Sequence, residues 1–408
     1  MQELKITIIT LFSFLIIQSA AAQVPVLETG SQKPMPPEWI DKDTGHKIKQ
    51  LTLREGVNRS FYFHNDPFVK TPDGKEDLMI FYGATGQGNQ LFTVNLQTLE
   101  TRQLTDSPGR KSGEIVGSKR REVFYQVQDS VFATHIDKGS TRLIFVFPED
   151  FKSHITTLNA DETRLAGTWA GPEKREILEK YPAKGDFFTR IFEAKIPHTL
   201  FTLNIESGEL EKIHTENTWL GHIQFSTTDP DMLMFCHEGP WHEVDRIWNI
   251  DIKTKEVKKI HERTVHREIA GHEFWSWDGK TIWYDLQIPR GETFYLAGYD
   301  IETGKKTRYR IDRNEWSIHF NISPDQKLFC GDGGDPTQVA KAEDGRWIYL
   351  FRPKKGRLKS EKLVNMKHHG YRPLEPNVHF SPDGKWVVFR ADFGGECQVY
   401  AVEIQKRK

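Results

Sequence analysis

The chain has 408 residues, of which 37% are hydrophobic, 28% charged and 12% aromatic; 56 Lys plus Arg against 57 Asp plus Glu leave a formal charge of -1. That balance excludes a general electrostatic attraction to nucleic acid or to a membrane surface, and the composition excludes a disordered chain. The apolar share is low for one large α/β core, whereas 11 Trp, 11 Tyr and 26 Phe suit several thin cores of sheet packed on sheet.

At the N-terminus, Lys5 precedes an apolar run from Ile6 to Ile17 that ends in Ser19-Ala20-Ala21-Ala22-Gln23. A charged start, a short apolar stretch and small residues before a cleavage point describe a secretory signal over residues 1–22. The run is too short to span a bilayer, so the sequence predicts a periplasmic or secreted protein with no membrane span. Residues 23–45, with Pro25, Pro34, Pro36 and Pro37, read as a linker.

From residue 46 onward one fragment recurs: a turn of Pro-Asp-Gly type, an apolar strand, a loop, and a second strand ending in a polar hairpin. The turn stands at Thr71-Pro72-Asp73-Gly74, Asn159-Ala160-Asp161, Asp229-Pro230-Asp231, Ser276-Trp277-Asp278-Gly279, Ser323-Pro324-Asp325 and Ser381-Pro382-Asp383-Gly384, with a degenerate copy near Ser118. Seven copies at a period of about 40 to 50 residues, one of them lengthened by an insertion, predict an all-β, seven-bladed β-propeller over 46–408. Lys49-Gln50-Leu51-Thr52 resembles the outer strand Arg102-Gln103-Leu104-Thr105, and the last unit lacks its outermost strand. The N-terminal strand is therefore expected to complete the last blade and hide two sheet edges. Residues 169–198 read as an insertion in blade three, helical from Pro172. Cys236, Cys330 and Cys397 are too few for a disulfide framework and read as buried free thiols.

In such a blade the strand before the turn is innermost. His272, His319 and Asn377 each stand six residues before a turn aspartate, which puts them at one level around the axis. Glu375 and His379 flank Asn377 at period two. His222 enters the inner strand of blade four, and His237 begins a loop on the same face. Imidazole, carboxylate and amide groups converging on one mouth suit a divalent cation of the manganese, zinc or calcium type, or a polar channel without metal. Arg59, Arg246, Arg267, Arg290, Arg372 and Arg390 lie near that mouth and suit carboxylates, while Trp219, Trp241, Trp275 and Trp316 can stack on sugar faces.

The stretches Asn58-Arg59-Ser60-Phe61-Tyr62-Phe63, Trp219-Leu220-Gly221-His222, Cys236-His237-Glu238-Gly239-Pro240, Gly271-His272-Glu273-Phe274-Trp275 and Cys330-Gly331-Asp332-Gly333 resemble the oligogalacturonate lyase family. The resemblance extends over nearly the whole chain after residue 22. It implies a manganese-binding propeller that cleaves by β-elimination, with His272 as a metal ligand and His237 as a catalytic histidine. The family's remaining ligands, Gln, His and His, fall here on Arg372, Glu375 and Asn377, and its catalytic arginine has Lys212 as the nearest match by spacing.

The reading is a lyase for uronate oligosaccharides. His237 is the expected base, aided by His222; Arg59, Arg246, Arg372 and His319 bind substrate; His272, Glu375 and Asn377 hold a divalent cation, manganese by resemblance. A lyase for another uronate glycan, and a non-catalytic propeller binding oligosaccharide or protein, are the alternatives.

Overall fold

A computed structural model describes residues 23–393 and 395–406. The expected leader, residues 1–22, lies outside the described residues.

The recurring turn has a local chemical cause. Ser276 Oγ donates to Asp278 Oδ1 at 2.6 Å and accepts from the Thr281 amide at 2.9 Å. Ser323 and Ser381 make the same pair of bonds with Asp325 and Leu328, and with Asp383 and Trp386. The side chains thus satisfy backbone donors that the turn leaves free, and Gly279 and Gly384 occupy left-handed positions (φ 66° and 67°) that disfavour a Cβ.

These turns start antiparallel meanders. Strands Ser112–Gly117, Glu122–Val127, Ser130–His135 and Thr141–Val146 form one four-stranded sheet. Two more run from His154–Leu158 to Leu210–Glu216 and from Leu220–Phe225 to Val257–Lys259. A further sheet of eight strands consists of two meanders, Ile269–Trp275 to Lys306–Ile311 and Phe320–Ile322 to Arg357–Asn365, joined by one parallel pairing of Arg310 with Arg357. Asn58–Arg59 and Phe68–Lys70 both pair with Asp77–Thr85 in a fifth sheet.

The sixth sheet joins the two ends of the chain. Lys47–Gln50 pairs antiparallel with Gln398–Glu403, placing Ile48 opposite Val402. Residues 23–45, expected to be a linker, extend this sheet. Glu38–Asp41 pairs with Lys47–Gln50, and Val26–Leu27 runs parallel to Glu38–Asp41. Trp39 is the reason: its ring is fully buried, and its Nε1 donates to Thr29 Oγ1 at 2.9 Å. Proline content alone misread a strand anchored by one large apolar side chain.

Hydrophobic clusters lie between neighbouring sheets, as around Phe124, Leu165 and Phe201, or around Met234, Ile282 and Tyr284. Between Arg164–Ala170 and His198–Asn204 the chain forms two helices, Pro172–Lys180 and Lys184–Ala194. Cys236, Cys330 and Cys397 are free and buried. Among the described residues no helix is long and apolar enough to cross a membrane.

Several buried histidines tie stability to pH. Burial lowers His379 from its ordinary 6.5 to about 4, although its Nε2 lies 3.2 Å from the carbonyls of Tyr62 and Asn65. Burial likewise lowers His64 to about 3 and His198 to about 4. Below pH 6.5 the unfolded chain takes up protons that the folded chain refuses, so stability is expected to fall as pH drops from 6.5 toward 4, by about 3 kcal/mol for His379 alone. Urea unfolding across that range measures the slope, which His379→Gln should reduce.

Candidate active site

The inner strands present their polar groups through a repeated irregularity. Glu114, His222, His272 and Asn377 all adopt left-handed backbone conformations, with φ between 47° and 56°. Each stands four residues before the turn residue Ser118, Ser226, Ser276 or Ser381. At the first three the strand pairing slips at that point, between Phe124 and Gln126, Gly221 and Gln224, and Gly271 and Phe274. A bulge of this kind re-aims a side chain out of the alternating pattern, and non-glycine residues persist there only when the surrounding structure holds them.

Two cavities meet at Tyr62 and His222, which line both. The larger, about 960 Å³, is lined by Arg59, Arg110, Lys111, Glu114, His154 and Arg390 among others. The smaller, about 600 Å³, has walls of Phe187, Phe188, Trp219, Trp241 and Trp316, with Glu238, Asp285, Glu375, His272 and His319 facing in. The helical insertion thus supplies part of the aromatic wall: Phe188 packs on Trp219 at 5.2 Å between ring centres.

Beneath the junction lies a buried ionic cluster. Arg246 Nη1 donates to Glu238 Oε2 at 2.8 Å and Nη2 to Oε1 at 3.3 Å, while its Nε and Nη2 each reach Glu273 at 3.2 Å. The Cys236 thiol donates to the same Glu273, and burial pushes that thiol up. Burial would raise the Glu273 carboxyl, but the charge of Arg246, with His222 and the hydrogen bonds, holds it far below the usual carboxylate range. His222 sits above this cluster, Nδ1 3.6 Å from Glu273 and Nε2 3.7 Å from Glu238. Burial and the nearby Arg246 lower its pKa despite the two carboxylates, so the ring is neutral at neutral pH.

On the other side of Tyr62, His319 is fixed by Asp332, with Nδ1 to Oδ2 at 2.7 Å, and stacks on Phe63 at 4.7 Å between ring centres. His272 Nδ1 is buried without a hydrogen bond, 3.9 Å from Asp285 Oδ2. The Tyr62 hydroxyl makes no hydrogen bond among the described residues.

Several expected site residues lie elsewhere. His237, the expected base, lines neither cavity: it lies 2.9 Å from Glu216 and stacks on Trp248 at 4.7 Å. Strand alternation is the reason, since Cys236 faces Glu273 in the next sheet and His237 faces the sheet before it. Arg246 cannot hold a substrate carboxylate as expected, because both edges of its guanidinium engage Glu238 and Glu273. Asn377 is no free ligand: its Oδ1 accepts from the Phe63 amide at 3.0 Å, its Nδ2 donates to the Glu375 carbonyl, and the residue is fully buried. Arg372 is exposed, with Nε 3.3 Å from Thr337 Oγ1, and lines neither cavity. Lys212 lies over the rings of Phe151 and Trp169, and Trp275 is buried with its Nε1 on the Gln224 carbonyl.

His222, His272, His319 and Glu375 do gather around the smaller cavity, and Arg59 and Arg390 line the larger. Glu114, Glu238, Glu273 and Tyr62 were missed as site residues. Glu114 was within reach of the same count, four residues before Ser118.

The expected cation set, His272, Glu375 and Asn377, does not fit a divalent metal. Asn377 has its amide oxygen engaged, and among the described residues no three His, Cys, Asp or Glu side chains are grouped to hold one.

The ionic cluster makes a direct prediction. Arg246→Ala leaves two buried carboxylates without their cation and is expected to cost about 3–5 kcal/mol in chemical denaturation, whereas Arg372→Ala stays within about 0.5 kcal/mol.

The model of the family described as oligogalacturonate lyase matches residues 35–407. An oligogalacturonide lyase of Pectobacterium atrosepticum is 26% identical over 384 residues, covering 90% of this chain and 95% of its own. An oligogalacturonate lyase of Dickeya dadantii is 25% identical over 383 residues, with the same coverage. The crystal structure of an oligogalacturonate lyase from Vibrio parahaemolyticus superposes with a TM-score of 0.77 at 25% identity, covering 90% of this chain and 96% of that one. An oligogalacturonate lyase in complex with manganese gives 0.76 at 23% identity, with the same coverage. By its sequence along nearly the whole described length, the chain belongs to the oligogalacturonate lyase family.

Proposed function

We propose that the chain cleaves uronate-containing oligosaccharides by β-elimination where its two cavities meet, within a seven-bladed propeller whose ring is closed by the N-terminal strand. Family membership makes it a carbon–oxygen lyase. The pairing of Lys47–Gln50 with Gln398–Glu403 and the seven recurring turns support the architecture. The observation that carries the chemistry is the placement of His222, a neutral imidazole at the junction, beside Tyr62.

The proton on C5 of a uronate is weakly acidic, because removing it loads charge onto a group that already bears a carboxylate. Arg390, Arg59 and Arg110 in the larger cavity neutralise that carboxylate and stabilise the enolate-like transition state. Arg390 is held for this by its Nε on the Glu375 carbonyl at 2.8 Å and its Nη1 on the Ser60 carbonyl at 2.9 Å. His222 takes the C5 proton, the C–H electron pair becomes the C4–C5 double bond, and the C4–O4 bond breaks. The Tyr62 hydroxyl gives its proton to the departing O4. Burial raises its pKa far above the ordinary value, so it stays protonated as a donor, and the tyrosinate regains its proton by way of the imidazolium. His237 has no part in this scheme.

Relatives named oligogalacturonate lyase support a galacturonate-type substrate, and one of them is described with manganese. No step here passes through a metal, since the donor set does not fit one and the arginines supply the positive charge. The leader-like residues 1–22 support a periplasmic or secreted location, which a mature N-terminus at Gln23 in mass spectrometry would establish.

Turnover is followed by the ultraviolet absorbance of the unsaturated product. His222→Ala should abolish it, and Tyr62→Phe should lower kcat by about 100-fold or more with KM little changed. The acidic limb of kcat/KM should lie below the ordinary histidine value of 6.5, activity being lost as pH falls through the depressed pKa of His222. Dialysis against a chelator should leave turnover unchanged. Absence of product from every uronate oligosaccharide tried would sink the proposal.

A further inference from the structure

The segment that carries Tyr62 departs from the sheet it belongs to. Asn58–Arg59 and Phe68–Lys70 pair with the same strand, with Arg59 opposite Tyr82 and Phe68 opposite Met79. Two residues of that strand, Ile80 and Phe81, therefore stand opposite eight, residues 60–67, and the excess loops out of the sheet. Backbone that leaves a ladder needs other partners, and side chains from three other sheets supply them. The Tyr62 amide donates to Glu114 Oε2 at 2.7 Å and the Phe63 amide to Asn377 Oδ1 at 3.0 Å. Asn321 Nδ2 donates to the Phe63 carbonyl at 3.0 Å. His379 Nε2 lies 3.2 Å from the carbonyls of Tyr62 and Asn65, which only accept, so that nitrogen carries the ring's proton. The Phe63 ring is fully buried, stacked on His319 and edge-on to Phe274. Among the described residues the Tyr62 hydroxyl has no hydrogen bond of its own. Its position is set from the backbone end alone.

We propose that residues 60–67 are an insert that presents Tyr62 to the site, and that Glu114 and Asn321 are positioning residues that act on the reaction through its backbone. This rests on the acid role given to Tyr62 above. A proton donor must lie within hydrogen-bond reach of the departing O4, and a misplacement of about 1 Å can cost about 100-fold in rate. Any shift of the Tyr62 backbone is carried to the hydroxyl, because nothing holds the ring at its oxygen. Glu114 is the hold on the Tyr62 amide itself, and the same carboxylate oxygen accepts from Asn65 Nδ2 at 3.1 Å, which ties down the far side of the turn. The left-handed residues thus divide in two. His222 and His272 line the smaller cavity, whereas Glu114 and Asn377 hold the segment that carries Tyr62. Asn321 holds it at the Phe63 carbonyl and lines neither cavity, so it has no route to the substrate except through that segment.

The test is a pair of double-mutant cycles on the full chain, read as kcat and KM for a uronate oligosaccharide. Glu114→Ala is expected to lower kcat about tenfold in the wild-type background and less than about twofold in Tyr62→Phe, where no hydroxyl remains to be placed. Glu114→Gln removes the charge but keeps an oxygen for both donors, and should restore most of the loss. Asn321→Ala should lower kcat about tenfold with KM unchanged, and likewise lose its effect in Tyr62→Phe. Its cycle decides the matter if Glu114→Ala does not fold. Equal losses in both backgrounds, a Glu114→Gln enzyme as slow as Glu114→Ala, or an Asn321→Ala effect confined to KM overturns the positioning role and leaves the lyase reading in place. A Tyr62→Phe enzyme with wild-type kcat overturns the acid role of Tyr62, and the positioning role with it. No unsaturated product from the unaltered enzyme overturns the lyase reading itself.

Discussion

One buried guanidinium organises the centre of this protein. Arg246 lies between Glu238, in the loop that follows Met232–His237, and Glu273, on the inner strand Ile269–Trp275 of the next sheet. Two carboxylates and one arginine withdrawn from water are tolerable only because four N–H···O contacts of 2.8 to 3.3 Å connect them. The cluster joins two adjacent sheets at the level of the site and leaves one excess negative charge below His222. That charge would favour an imidazolium. Burial and the proximity of Arg246 act the other way and prevail, so the ring remains neutral at neutral pH. The same carboxylates therefore orient His222 without protonating it.

The bulges complete what the ionic cluster begins. Regular alternation would send successive side chains to opposite faces of a strand, one toward each neighbouring sheet. At Glu114, His222 and His272 the left-handed residue interrupts that alternation, and the side chain enters the central cavities instead. The turn four residues later, closed by a serine or its equivalent, sets where along the strand this happens. Repetition of the turn thus becomes repetition of the left-handed position four residues before it. The residue type at each position then varies freely, which is how one repeated geometry holds a carboxylate, two imidazoles and a buried amide.

This explains what could be read from the sequence and what could not. The turns are local, and serine, aspartate and glycine are chosen there for bonds within six residues, so the repeat and its period were legible. Counting from the turn also reached His272, where the count reflects the bulge, and His319, which lines the same cavity without a left-handed backbone. Glu114 follows the same rule but escaped, since its turn at Ser118 lacks the Pro-Asp-Gly pattern. His237 and Arg246 failed for a different reason. His237 stands in a stretch that resembles the family and Arg246 near the expected mouth, yet which side of a strand faces the cavity and which cation already has partners are facts of tertiary contact. Asn377 shows this most clearly: its amide looks like a ligand in one dimension, while in space it caps the Phe63 backbone from 314 residues away. Trp39 is the counterpart in the fold, a single buried ring that turns a proline-rich stretch into a strand.

Charge is where these strands of argument meet. Among the described residues, Arg372 is exposed and Asn377 is hydrogen-bonded to the Phe63 amide, so the positive charge at the cavities comes from arginine and lysine side chains. An elimination next to a carboxylate needs positive charge whatever its source, because the developing anion cannot form otherwise. Arg390, held by two backbone carbonyls in the larger cavity, is a fixed cation that requires no deprotonated ligand set. The side-chain cations of the larger cavity, Arg59, Arg110 and Arg390, thus stand on one side of His222 and are fixed there by the covalent chain.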